Sequence, residues 1–156
     1  MTVERFLAEA RSIVAEVTDC WAATPSGNGG VSVRVVVPIA GVPGEEDWTV
    51  WFAAGATSRK VAEIRRTGHL TLGYQDMPRR SYVALIGRAA VVADRAVIRA
   101  RWKEEWRSVF PDGDAVFVRL ETDRIELYAL SPPPAPPPRR HSTLERDAER
   151  RWRLVG

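Results

Sequence analysis

One cysteine, two histidines and two lysines are all that this chain of 156 residues carries of those three types. With Cys20 alone, an internal disulfide and a cysteine-based metal cluster are excluded. His69 and His141 are too few for a histidine-rich centre, so no metal site is expected. No run approaches the ~20 apolar residues of a membrane-spanning helix. The opening MTVERFLAEARSIVAEV carries acids throughout and lacks the apolar core of a secretion signal. These absences predict a cytoplasmic protein with no membrane partner. Hydrophobic residues make up 45% of the sequence, enough for one domain with a real core.

The basic pI of about 9.5 raises the question of nucleic acid. Residues 139–156 contain six arginines against three acids, which is the whole net excess of +3. The remaining residues balance, 17 basic against 17 acidic. The body therefore has no net field for a phosphate backbone, and no nucleic-acid partner is expected. A single-strand-binding barrel using the basic tail and exposed aromatics is the competing reading. Only two of the 23 basic residues are lysines, Lys60 and Lys103. Codon bias accounts for much arginine, but a lysine at position 60 runs against the habit of this chain.

Hydrophobic spacing organises the rest. Residues 2–16 read as an amphipathic helix with Phe6, Leu7, Ala10, Ile13, Val14 and Val17 on one face. Strand-like runs follow at 17–24, 30–39 and 47–54, then a helix at 58–67 and strands at 69–76 and 80–93. Gly87 inside the last of these predicts a bulge or bend. Asp94 caps a helix over 95–109 that places Ile98, Trp102 and Trp106 on one face. FPDGD breaks it, and 115–122 with 124–130 read as a hairpin around Asp123. About seven strands and three helices, with strands mostly neighbouring in sequence, predict a mainly β (α+β) domain built as a curved or closed antiparallel barrel. The division is a body of 1–130, a polyproline linker of 131–138 and a basic tail of 139–156. Trp152, Leu154 and Val155 in the tail are expected to dock on the body.

The stretch GATSRKVAEIRRTGHL, residues 55–70, holds the functional signal. Thr57 or Ser58 can cap its helix and Gly68 can end it. Arg59 and Lys60 sit in the first turn, where the helix dipole is already positive and a cation is unfavourable by ~0.3–1 kcal/mol. Backbone N–H groups, a hydroxyl, a guanidinium and an ammonium within a few residues suit a phosphate. A surface Arg and Lys at an ordinary helix start is the plain alternative.

The order GVSVRVVVP, WTVWFAA, TSRK opening a helix, TGHLTLGYQD and SYVALIGRAAVVAD resembles the pyridoxamine 5′-phosphate oxidase-like FMN-binding split-barrel superfamily. Trp106 followed by FPDG resembles its general-stress-protein branch. The resemblance covers about residues 5–130 and implies an antiparallel split β-barrel with flanking helices. It also implies a homodimer with FMN at the subunit interface. By that analogy Ser58, Arg59 and Lys60 hold the FMN phosphate, and Arg34 lies near flavin and phosphate. The backbone of Phe52, Ala53 and Ala54 approaches the isoalloxazine edge, and Tyr82 stands at a polar flavin contact. Arg34 as a solvent-facing strand residue and Tyr82 as a packing residue are the competing readings. Trp48, Trp51, Trp102 and Trp106 read as core or dimer-interface residues, His69 as a surface residue and Cys20 as a small buried one.

Relatives of this barrel also take a deazaflavin or haem. The implied activity is an FMN-dependent oxidoreductase acting on a small molecule, with a non-catalytic flavin-binding stress protein as the alternative. Genuine pyridoxamine phosphate oxidases carry a lysine five residues beyond the strand arginine, where this chain has Ile39. They also end in an arginine–histidine pair, and the RRH at 139–141 matches that pair only by letter. Vitamin B6 oxidation is therefore not expected.

Overall fold

In the computed structural model, which describes residues 1–129 and 140–155, strands β2 (Val31–Val36) and β3 (Pro38–Ile39) are separated only by Val37. Yet they stand at opposite ends of the strand order β2-β1-β5-β6-β7-β4-β3. Successive Cα atoms are about 3.8 Å apart, so the two ends of the sheet lie within ~8 Å of each other. The sheet must therefore curl until its edges meet, and it does so without a ladder between β2 and β3. The antiparallel split barrel with flanking helices expected from the sequence is the fold found. Pro38 marks the seam, since it supplies no N–H and holds Val37 extended.

The remaining elements are α1 (Val3–Glu16), β1 (Cys20–Pro25), β4 (Thr49–Gly55), α2 (Arg59–Thr67), β5 (His69–Asp76) and β6 (Ser81–Val92). They are followed by α3 (Arg95–Ala100), α4 (Trp106–Val109), β7 (Ala115–Ala129), β8 (Arg140–Arg146) and β9 (Trp152–Val155). Thr2 caps α1 by accepting from the Arg5 N–H at 3.2 Å. The helix then buries Phe6, Ala10 and Ile13 against the barrel, packing on β5, β6 and β9. Leu70, Leu72, Val83, Leu85, Phe52 and Leu120 fill the interior beside it. No described helix is long and apolar enough to cross a membrane.

Three expectations are corrected. Residues 115–129 form one strand, not a hairpin around Asp123. Asp123 is instead the extra residue of a bulge, because Ile86 pairs with Arg124 while Gly87 pairs with Thr122. Gly87 is obligatory there: a Cβ would sit 1.9 Å from the Glu121 carbonyl oxygen. At the same point one edge of β7 changes partner from β4 to β8.

The helix expected over 95–109 is two short ones. Asp94 caps α3 as expected, accepting from the Ala96 N–H at 2.8 Å. The first ends at Ala100, and the guanidinium of the capping residue Arg101 bonds the Ala40 carbonyl and lies over the Trp51 ring. Trp102 and Trp106 then pack edge-to-face and join Ile98, Trp51 and Phe117 in a second cluster. The third correction is the run 30–39, which the seam divides into β2 and β3.

Residues 140–155 form a hairpin laid on the second half of β7, with Leu144 fully buried and Trp152 packed on the core. The 131–138 segment lies outside the described residues. Arg146, its side chain only 4% exposed, donates to the Thr122 carbonyl at 3.2 Å and the Asp47 carbonyl at 2.8 Å. Its guanidinium lies 4.0 Å from the centroid of Trp152. Arg150 pairs with Glu46 at 2.6 Å and Asp123 at 2.5 Å. These contacts hold the loop before β4, where Trp48 adopts the strained φ of 62°. Such a conformation costs ~1–3 kcal/mol in a bulky residue. The Thr122 hydroxyl secures it, donating to the Trp48 carbonyl at 2.6 Å.

Candidate functional site

Ser58 begins α2 with extended backbone but makes no side-chain cap; its Oγ is buried and has no hydrogen-bond partner among the described residues. The first backbone bond of the helix reaches the Ser58 carbonyl from Ala62. The N–H groups of Arg59, Lys60 and Val61 therefore have no intrahelical acceptor. No acid occupies the first turn. Gly68 closes the helix at φ 67°, its N–H donating to the Ile64 carbonyl at 2.7 Å, with Arg65 and Arg66 favourably placed at that end.

Arg59 is exposed and Lys60 half-buried, and among the described residues neither forms an ion pair. Burial, and then the charge of Arg34, push the Lys60 ammonium below its ordinary pKa. Both effects penalise a charge that no carboxylate among the described residues answers.

Behind Lys60 lies a network the sequence did not announce. Arg34 does not face solvent: it donates to the Thr24 hydroxyl at 2.6 Å and the carbonyls of Ser32 and Ala22 at 3.1 and 3.3 Å. It also pairs with Glu63 of α2 at 3.3 Å. Glu63, 6% exposed, accepts as well from the hydroxyls of Thr24 and Ser32. The Thr24 hydroxyl, with Ser32 and Arg34 behind it, holds its carboxylate below the ordinary range despite burial. The only sequence signal was the alternation VSVRVV, and it misleads, because Ser32 and Arg34 face inward while Val31, Val33 and Val35 face out.

A cavity of about 430 Å³ opens beside the helix start. Val35 to Val37 and Ile39 form its seam side, Ala53 to Gly55 another wall, and Lys60 reaches in from α2. Lys103, Glu105, Trp106, Val109 and Phe110 complete it. β3 pairs only with Trp51 and Phe52, so past Phe52 this edge of β4 has no ladder partner. Of the residues singled out from sequence, Ala53, Ala54 and Lys60 line the cavity, and Ser58 and Arg59 share its helix start.

Phe52 is fully buried and sits between β3 and β7. Arg34 is committed to Glu63 and is not on the wall. Tyr82 stands apart: it registers with Tyr128, twelve residues along β7 from Val116, the partner of Ala54. At ~3.3 Å per residue that is about 40 Å of strand. Its ring stacks on Tyr128 at 5.3 Å, near His141. His69 is exposed, and Cys20 is buried with its thiol pushed up to about 11 by desolvation, which leaves it inert. Among the described residues no group of His, Cys, Asp and Glu is placed to hold a metal ion.

Orphaned donors and unanswered cations around one helix start match the oxygens and charge of a phosphate, and the apolar cleft beside them suits a flat organic body. Fold and cavity together define an antiparallel split barrel with a cleft along its seam, beside the start of α2. The family model described as pyridoxamine 5′-phosphate oxidase like matches residues 7–128, and the chain belongs to that family.

Solved structures share its fold. One is a general stress protein 26-related protein from Clostridium acetobutylicum, 17% identical over 82% of this chain and 91% of that one, TM-score 0.69. Another is an FMN-binding protein related to pyridoxamine 5′-phosphate oxidase from Nostoc punctiforme, 13% identical over 99% and 95%, TM-score 0.73. A haem-binding protein from Mycobacterium smegmatis is 16% identical over 76% of this chain and 52% of its own, TM-score 0.58. No curated protein matches the chain significantly.

Proposed function

We propose that this protein is a cytoplasmic, homodimeric FMN-binding oxidoreductase acting on a small molecule. The observation that carries the reading is the open start of α2. Among the described residues the buried Ser58 hydroxyl lacks a partner, and Lys60 lines the cavity without a counter-ion. Ser58, Arg59, Lys60 and the free N–H groups would hold the phosphate. The unpaired β4 edge at Ala53 and Ala54 would meet the flavin edge. Arg34, paired with Glu63, would fix the position of α2 from behind Lys60 rather than touch the phosphate. Bound FMN would supply hydride or single-electron chemistry, and the chain supplies grip, orientation and access.

The dimer reading is supported by the inverted strand. Val33 is 55% exposed and Trp21 51%, on one outward face that has no cover in the single chain. Tyr82 shares that face, because Trp21 registers with Gly73, Gly73 with Ala84, and Tyr82 is two residues from Ala84. A two-fold axis through such a face pairs its two ends, which would carry Tyr82 of a second copy toward the cavity of the first.

A flavin-holding protein without turnover, in the manner of a stress-response buffer, is the second reading. It is favoured by a cavity with no acid–base pair beyond Lys60, Lys103 and Glu105. A deazaflavin or haem in the same cleft is a variant of either reading. Ile39 lines the cavity with an apolar side chain, so vitamin B6 phosphate oxidation is not part of the proposal.

The test is the visible spectrum and FMN affinity of the purified and reconstituted protein, compared with Lys60→Ala. Losing a charge-assisted contact of ~1.5–3 kcal/mol predicts at least a tenfold weaker complex. Failure of the wild type to bind flavin ends the functional reading. Equal affinity in Arg59→Ala and Lys60→Ala ends the site assignment alone. Reduction of the bound flavin by NADH or NADPH separates turnover from storage.

A further inference from the structure

Arginine so dominates this chain that Lys60 and Lys103 are its only side-chain ammonium groups. They belong to segments far apart in sequence, yet both line the same cavity. Lys60 comes from the start of α2. Lys103 comes from the link between α3 and α4, a segment held in place by the second aromatic cluster. Its Nζ lies 5.8 Å from the centroid of the Trp106 ring, at the outer reach of a cation–π contact.

Among the described residues Lys103 forms no ion pair. Of its acidic neighbours, Glu104 is taken by Arg107 at 3.2 Å. Glu105 is the one carboxylate on the cavity wall and does not come within ion-pair distance of Lys103. The rest of this wall is Trp106, Val109 and Phe110, all apolar or aromatic. A cation unmatched among the described residues, beside a flat aromatic side chain in an apolar cleft, is an arrangement that suits organic anions of planar shape.

We propose that Lys103 is the anion-recognising residue of a substrate subsite whose ligand is a flat organic carboxylate lying against Trp106. The inference rests on the FMN reading in one respect: the Lys60 end of the cavity is assigned to the cofactor phosphate, which leaves Lys103 for the second ligand. A carboxylate held there gains a charge-assisted contact that a neutral molecule of the same shape does not. The subsite therefore discriminates by charge.

The experiment titrates FMN-loaded protein with benzoate and with benzamide, which has nearly the same shape without the charge, following flavin absorbance. The same two titrations are run on FMN-free protein, followed by tryptophan fluorescence. Benzoate is expected to bind at least tenfold more tightly than benzamide. Lys103→Gln, at an exposed position that does not threaten folding, is expected to abolish that preference while leaving FMN affinity within twofold.

Equal binding of the two ligands by wild type overturns the proposal, as does undetectable binding of benzoate. So does a preference that survives in Lys103→Gln. A tenfold loss of FMN affinity in Lys103→Gln also overturns it, by placing Lys103 on the cofactor. If FMN itself does not bind, the cofactor reading fails on its own, and the fluorescence titrations still decide the role of Lys103.

Discussion

Two arginine-rich regions of this molecule treat charge in opposite ways. In the C-terminal hairpin, Arg146 and Arg150 each find carboxylates of the body, Glu46 and Asp47 for the one, Glu46 and Asp123 for the other. At the start of α2, Arg59 and Lys60 find none among the described residues, and the helix dipole adds to their charge. Matched cations fasten one part of the chain to another. Unmatched ones, kept beside a cavity at a cost to the fold, are what the proposed cofactor phosphate would answer. Of the arginines in the tail that gives the sequence its basic pI, Arg146 and Arg150 are thus matched by body acids, and Arg151 by Asp147 and Glu149 of the tail itself.

Mutation should expose this difference. Arg146→Ala removes a buried guanidinium with several carbonyl and carboxylate partners, and it should lower unfolding free energy by about 3 kcal/mol in urea denaturation. FMN affinity should change little. Lys60→Ala should do the reverse, weakening FMN at least tenfold while leaving apo-protein stability unchanged or slightly raised, by a few tenths of a kcal/mol. A large stability loss in Lys60→Ala would break the comparison, because it would show a cation matched after all.

Glu63→Gln offers a finer probe through pH. The folded pKa of Glu63 lies below its unfolded one, so its contribution is complete above the unfolded value, about 4.3, and is lost as pH falls through the folded value. The stability gap between wild type and Glu63→Gln should therefore be open at pH 7 and narrow on acidification below about pH 4. A gap that stays constant across that range would remove Glu63 from the network around Arg34.

Periodicity made α1, α2, β5 and β6 legible, since each buries one face against the same core and its apolar residues say so, while β4 was legible as a continuous apolar run. The helix start at Ser58 was legible for a different reason, because its charges contradict a local rule. Other features depend on partners that spacing does not reveal. Asp123 looks like a turn residue, and only the glycine across the ladder shows that it is a bulge. The 95–109 run has sound helical spacing, yet the helix breaks at Arg101, whose guanidinium is engaged by the Ala40 carbonyl and the Trp51 ring, partners that spacing does not show.

The hairpin of the tail contributes little more than Leu144 and Trp152 to the core, too weak a pattern to announce two strands. The inversion of β2 was illegible in principle. A strand reading VSVRVV has the same alternation whichever face is buried, and the decision was made by Thr24 and Glu63, which offered Arg34 an inward home.

The single-residue step at Val37 has a consequence for how the protein breathes. A barrel laced all round shields its strand amides evenly, whereas this one has a line along which the edges of β2 and of β4 beyond Phe52 face each other unlaced. Strand amides along that line that lack a ladder partner are expected to exchange with water faster than the paired ones, and a guest in the cleft would cover them. Hydrogen exchange along the seam thus reports occupancy of the pocket directly, whatever the guest turns out to be.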